Sequence, residues 1–183
     1  MRLKNMKKMM ITFLGLCALT ISMPFYAYAQ NNGDGVGNPA FSKTGLPIPR
    51  FVSLSNDESS VRTGPSLDYP VMWVLTRKDL PVEVILEFDN WRKIRDPDGQ
   101  EGWVFHTLLS GKRTALTIGK KSIFAYEKPF NENALKARVV LELEPSVIVE
   151  IDACDGAWCL VKASGFSGWI KRNLLWGVYE TEI

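Results

Sequence analysis

The chain has 183 residues, 46% hydrophobic and 23% charged, and its 22 basic and 20 acidic residues give a net charge of +2. Four of the basic residues, Arg2, Lys4, Lys7 and Lys8, lie in the first 29 positions with no acidic residue beside them, so the remainder carries −2. A chain with that balance has no basic stripe, which excludes nucleic-acid binding through phosphate charge.

The basic start runs into an apolar stretch over residues 9–25. Ala27-Tyr28-Ala29 then places small residues at the two positions a signal peptidase reads. The stretch is shorter than the ~20 residues of a membrane-spanning helix. Residues 1–29 are therefore expected to be a cleaved export signal, the mature protein to be periplasmic or secreted, and no stable membrane insertion to survive cleavage. Leu16 stands before Cys17 where a lipoprotein signal needs a small residue, so Cys17 is expected to be an ordinary member of the apolar stretch. Residues 30–49 are rich in Gly and Pro and poor in large apolar side chains. They cannot bury enough surface to offset their ordering entropy, and are expected to form a disordered leader.

From residue 51 the chain reads as short strands. Residues 51–54 alternate, Arg62-Thr63-Gly64-Pro65-Ser66 is a turn, and residues 71–75 are apolar. Residues 82–88 alternate, with Val82, Val84 and Leu86 on one face and Glu83, Ile85 and Glu87 on the other. Asp89-Asn90 predicts a hairpin turn, residues 91–95 return, and Asp96-Pro97-Asp98-Gly99 turns again. Residues 102–105 form the next strand and residues 107–109 close the unit. Five short strands in about 60 residues predict a small β-barrel.

A second copy follows. Trp91 answers to Trp158, Trp103 to Trp169 and Leu108 to Leu174, a period of 66 or 67 residues. The fold class is therefore all-β, with one barrel over residues 50–113 and another over 114–183. Ser110-Gly111-Lys112-Arg113 is too short a connection to let the units tumble independently. A duplicated unit of about 65 residues is too small for much catalytic machinery and suits binding. The second unit diverges most over residues 122–144, where Pro129-Phe130 stands in place of the Gly-Pro turn.

VRTGPSLDYPV, DLPVEVILEFDNWRKIRDPDGQEGWV and the ending CDGAWCLVKASGFSGWIKRNLLWGVYETEI resemble the bacterial SH3-like (SH3b) domain family, in its two-domain, exported proteobacterial form. The resemblance covers roughly residues 50–180. It implies a repeated barrel of five to seven strands, no enzyme activity and no cofactor. It also implies a role in holding cell-wall peptides, envelope proteins or an attached enzyme. One departure matters. Neither Gly102-Trp103-Val104-Phe105-His106 nor Gly168-Trp169-Ile170-Lys171-Arg172 is followed by the Pro and Tyr that serve polyproline binding in eukaryotic relatives, so a PxxP ligand is not expected.

Six tryptophans carry the remaining expectations. Trp103 and Trp169 follow a Gly in apolar strands and are expected in the core. Trp91 and Trp158 open strands just after hairpin turns, where one ring face stays wet and serves as a platform. Tyr69 and Trp73 lie near the turn that faces the same groove in SH3-like folds. The ligand-binding candidates are thus Trp91, Tyr69, Trp73 and Trp158. Trp176 is expected between the units or closing the second barrel, and Arg62 is expected to bond turn carbonyls. His106 is the only histidine and lies far in sequence from the cysteines, so no catalytic Cys–His set and no metal site is expected. Cys154 and Cys159 flank a hairpin tip. With Gly156-Ala157 as the tip they lie opposite each other and suit a disulfide. With Asp155-Gly156 as the tip they lie diagonally, as two small apolar thiols. An oxidising destination favours the bond. The expected function is non-catalytic binding in the cell envelope, of peptidoglycan peptides or, as the second reading, of a protein partner across both barrels.

Overall fold

The computed structural model describes residues 44–130 and 137–181. The expected export signal, Cys17 and residues 30–43 of the expected leader lie outside them.

The first barrel comprises β1 (Arg50–Leu54), β2 (Ser59–Arg62), β3 (Val71–Leu75), β4 (Pro81–Phe88), β5 (Trp91–Arg95), β6 (Glu101–Phe105), a 3₁₀ turn (His106–Leu108) and β7 (Leu109–Ser110). The second comprises β8 (Thr114–Thr117), β9 (Ile123–Tyr126), β10 (Val139–Leu143), β11 (Ile148–Asp155), β12 (Trp158–Ala163), β13 (Phe166–Lys171), a 3₁₀ turn (Arg172–Leu174) and β14 (Leu175–Trp176). Strand order is β3-β2-β6-β5-β4-β1-β7 in one sheet and β10-β9-β13-β12-β11-β8-β14 in the other. The two orders are the same topology written twice, as the repeat requires. Each sheet has seven strands where the turn signals alone predicted five, because the pattern does not resolve two-residue strands such as β7 and β14.

Each barrel closes on its own apolar core. Leu54, Val61, Val82, Val84, Ile94 and Val104 fill the first. Ala125, Leu143, Val149, Val161, Ile170 and the two cysteines are prominent in the second. The long strand of each barrel carries a bulge. Register shifts between Val84 and Leu86 in β4, and between Ile151 and Ala153 in β11. One extra residue reverses the side-chain parity. Val82 and Val84 face the core as expected, but Leu86 is only half-buried and Glu87 is fully buried. The same bulge in β11 turns Cys154 inward.

Parity also reverses the expectation for Trp103 and Trp169. In β6 and β13 it is the Gly, and the residue after the Trp, that point inward: Gly102, Val104, Gly168 and Ile170 are buried, while both tryptophans are half-buried. A Cβ at position 102 would lie 2.3 Å from a Val61 methyl, and one at 168 would lie 2.7 Å from Val140. Only glycine leaves room for the neighbouring hairpin to cross there.

Both barrels belong to one compact unit. Leu116, from β8, is buried in the first barrel's core, and Ile148 and Trp176 pack against it. Phe51 of β1 meets Trp176 edge-on at 5.1 Å and Tyr179 at 4.6 Å. Arg113 donates to the Phe51 and Gly177 carbonyls, each at 3.0 Å. Tyr179 donates to Glu83 Oε1 at 2.8 Å, and Arg77 donates to the Ser146 carbonyl at 2.6 Å. Trp176 thus does both things expected of it, since β14 also pairs with β8. Aromatic packing and part-buried hydrogen bonds hold the two barrels as a fixed pair.

The expected leader is corrected at its C-terminal end. Thr44 donates its hydroxyl to Glu87 Oε2 at 2.8 Å and its backbone N–H at 3.3 Å. The chain is therefore fastened to the barrel six residues before β1 begins.

Candidate functional site

The site is assembled where a hairpin tip meets a 3₁₀ turn. In β11–β12, Asp155 pairs with Trp158 and Cys154 with Cys159, which makes Gly156-Ala157 the tip. Gly156 takes a φ of 52°, a left-handed conformation that glycine adopts without strain. Cys154 and Cys159 form the disulfide, buried directly below the tip. Alkylation without reduction should therefore label neither cysteine, and reduction should lower the stability of the second barrel by about 1–3 kcal/mol, the range for so short a loop. Full labelling of both in the oxidised protein would show that the pair is not bonded.

The first barrel uses different chemistry at the same place. Phe88 pairs with Trp91 at the tip, and Glu87 pairs with Arg92 one step below. Glu87 Oε1 accepts from Arg50 at 2.6 Å, and Arg92 Nε lies 3.2 Å away. Burial alone would push the Glu87 carboxyl up. The hydrogen bonds of Arg50 and Thr44, with the charges of Arg50 and Arg92, outweigh burial and hold it below its ordinary value. A buried ion pair and a disulfide thus occupy equivalent cross-strand positions.

In each barrel the 3₁₀ turn is stitched to the tip by one backbone bond, His106 N–H to the Asn90 carbonyl at 2.9 Å and Arg172 N–H to the Ala157 carbonyl at 2.8 Å. The tryptophan after each tip lies beneath that stitch. The ring of Trp158 meets Phe130 at 5.0 Å and Tyr126 at 6.0 Å, and Lys171 Nζ stands 5.9 Å over it. Arg172, buried, donates to the carbonyls of Tyr179 (2.6 Å) and Glu180, and so folds the C-terminal tail against the turn. These pieces enclose a groove of about 730 Å³. Gly156, Trp158, Asn173, Phe130, Val178 and Glu180 are among the residues that line it.

The four candidate tryptophan and tyrosine residues do not form one site. Trp158 forms part of the groove, although it is buried and not half-wet. Trp91 is equally buried, only 7% exposed, and meets Phe105 edge-on at 5.4 Å. Its expected wet face is covered because the tip residue Phe88 and the β6 residue Phe105 are its direct strand partners. Trp73 is half-buried against the first core, and among the described residues its buried Nε1 has no hydrogen-bond partner. Tyr69 is exposed and sits over Gly64. Arg62 does bond the turn, donating to the Leu67 and Tyr69 carbonyls at 3.1 and 2.7 Å.

The groove residues that sequence reasoning passed over include Phe130 and Lys171, with Tyr126 in ring contact with Phe130 and Trp158. A phenylalanine beside proline in a loop, four residues after a tyrosine, is the signal that was there to be used. His106 is exposed at the start of its turn, with its ring 4.9 Å from Phe105.

Two repeated seven-stranded sheets, each with a 3₁₀ turn before its last strand, define a pair of SH3-like barrels. Residues 55–111 and 129–177 match the bacterial SH3 domain, which together is more than half of the chain, and the chain belongs to that family. No curated protein matches it. Among solved structures it is similar to NlpC2 from Trichomonas vaginalis, at 12% identity and a TM-score of 0.32, over 73% of this chain and 49% of that one. It is likewise similar to NlpC1 from Trichomonas vaginalis, at 14% identity and a TM-score of 0.32, over 77% of this chain and 51% of that one. The chain spans about half the length of these structures. Among the described residues, no helix is long and apolar enough to cross a membrane and no cluster of side chains suits a metal ion.

Proposed function

We propose that the protein is an exported, non-catalytic binding module of the cell envelope, and that the groove beside Trp158 holds a peptidoglycan peptide. The observation that carries this reading is the groove itself, between a hairpin tip and a 3₁₀ turn, where the half-exposed Phe130 ring is backed by the buried Trp158. Rigid rings give contact area at low conformational entropy cost, and the groove is of the size that takes a few residues of peptide. Membership of the bacterial SH3 family supports a binding role in the envelope. The disulfide supports an oxidising compartment. No catalytic step enters the reading: the paired cysteines offer no thiolate, and His106 belongs to the other barrel.

A second reading, a protein partner that covers both barrels at once, is favoured by the fixed junction around Phe51, Trp176 and Tyr179.

The test is retention of the mature protein on purified wall sacculi, with and without competing soluble stem peptide. Phe130→Ala removes a half-exposed loop ring, so it should lower the melt only modestly, through its lost contacts with Tyr126 and Trp158, and lower retention about tenfold, as expected of an aromatic anchor. Retention that neither Phe130→Ala nor the soluble peptide reduces would favour the second reading.

A further inference from the structure

Among the described residues, exposed large apolar side chains are densest in one place. Leu67, Tyr69, Val71, Met72 and Val74 fall within eight positions of the first barrel, each between 42% and 73% exposed. Arg62 gathers them. It pairs with Val71 across β2 and β3, and donates to the Leu67 and Tyr69 carbonyls at 3.1 and 2.7 Å. Asp68, the one charged residue from Leu67 to Thr76, is turned back to accept from the Ser66 hydroxyl at 2.9 Å.

The patch lies at the end of a sheet, since β3 is the last strand and pairs with β2 alone. Its counterpart in the second barrel, β10, is also terminal, but it carries Glu142, and Arg138 and Glu144 flank it. Charged side chains on a terminal strand hold other chains off. One topology thus has one guarded edge and one unguarded edge. The exposed fractions of the five side chains come to roughly 500 Å², within the range of the largest, often functional, patch on a monomer. A stable interface takes about 800 Å² from each partner, and about 65% of that is apolar between identical subunits. The patch supplies that apolar share. It offers an oppositely charged partner nothing to hold, whereas a two-fold contact needs only one patch matched to itself.

We infer that the β3 face is an interface with a second copy of this chain, a two-fold dimer in which these five side chains of each copy cover those of the other. The register between β2 and β3 shifts between Val61 and Arg62, which places a bulge at Met72. The bulge interrupts the free backbone edge, so side chains, and not an extended sheet, make the contact. None of the five lines the groove beside Trp158, so the dimer stands or falls independently of the groove reading.

The experiment is analytical sedimentation of the mature protein over a concentration series from about 1 μM upward, where interfaces of this size begin to hold. The wild type should pass from monomer to dimer. The double variant Leu67→Lys, Val74→Lys places like charges on both sides of the contact and should weaken association by about a hundredfold or more. Both side chains are exposed, so its melt should match the wild type. Hydrogen exchange on the wild type needs no variant: backbone protection over residues 67–76 should rise with concentration, and protection over residues 148–163 should not. A wild type that stays monomeric throughout overturns the interface. So does a dimer that the double variant keeps, and so does one that forms without added protection over residues 67–76.

Discussion

Glu87→Ala is expected to be the most destabilising single change in the first barrel. The carboxylate is fully buried, and it answers to Arg50 at 2.6 Å, Arg92 at 3.2 Å and the Thr44 hydroxyl at 2.8 Å. Removing it leaves Arg92, itself buried, without its counter-charge. Breaking a buried pair from one side costs about 3–5 kcal/mol. That is a large share of the stability of a domain this small. The effect should depend on pH. The folded Glu87 carboxyl titrates below its ordinary value of 4.5. Its contribution is therefore fully present above that value, and is lost as pH falls through the lower folded value. Melts of wild type and Glu87→Ala should differ most near pH 7 and converge in acid. Glu101, whose carboxyl is also held low by hydrogen bonds from Lys93 and Arg95, leaves a residual acid sensitivity in both proteins. A difference that stays constant down to pH 3 would show that Glu87 is not the charged partner described. The second barrel has a disulfide at the equivalent position, so this source of acid sensitivity is absent there.

Trp91→Ala is expected to cost about 3–5 kcal/mol, the range for truncating a buried aromatic. Trp103→Ala should cost about 1 kcal/mol, near the average for point mutants. The sequence pattern predicts the opposite order. Trp91 is 7% exposed and packs edge-on against Phe105, whereas Trp103 stands half-buried on the outer face of β6. Thermal melts of the two variants decide it. If Trp103→Ala melts earlier, the inward face of β6 has been assigned wrongly.

The barrels were readable from local chemistry. The Asp-Asn and Gly-Ala tips, the Gly-Trp strands and the repeated spacing each depend on residues close in sequence, and each recurs in both copies. The cysteines were readable to two registers, because a tip one residue earlier satisfies the same turn preferences. Pairing of Asp155 with Trp158 selects between them. The leader was misjudged near its end for a different reason. Thr44 is fastened by Glu87, which lies 43 positions away, and composition carries no trace of such a partner.

Sequence alone determined that this is an all-β repeat with turns at fixed places, since turn chemistry and hydrophobic alternation act over a few residues. It also placed one tryptophan after each hairpin tip. Which way those side chains face was decided by the tertiary structure. A period-2 pattern is blind to one inserted residue, and the bulges at Ile85 and Asp152 each invert every position that follows along their strand. The groove was decided at the same level. Phe130, Trp158, Lys171 and Glu180 converge only because a hairpin, a 3₁₀ turn and the tail are bonded to one another and a loop packs its ring on the hairpin's Trp158. A binding surface drawn from four separate segments depends on long-range packing, which no local pattern records.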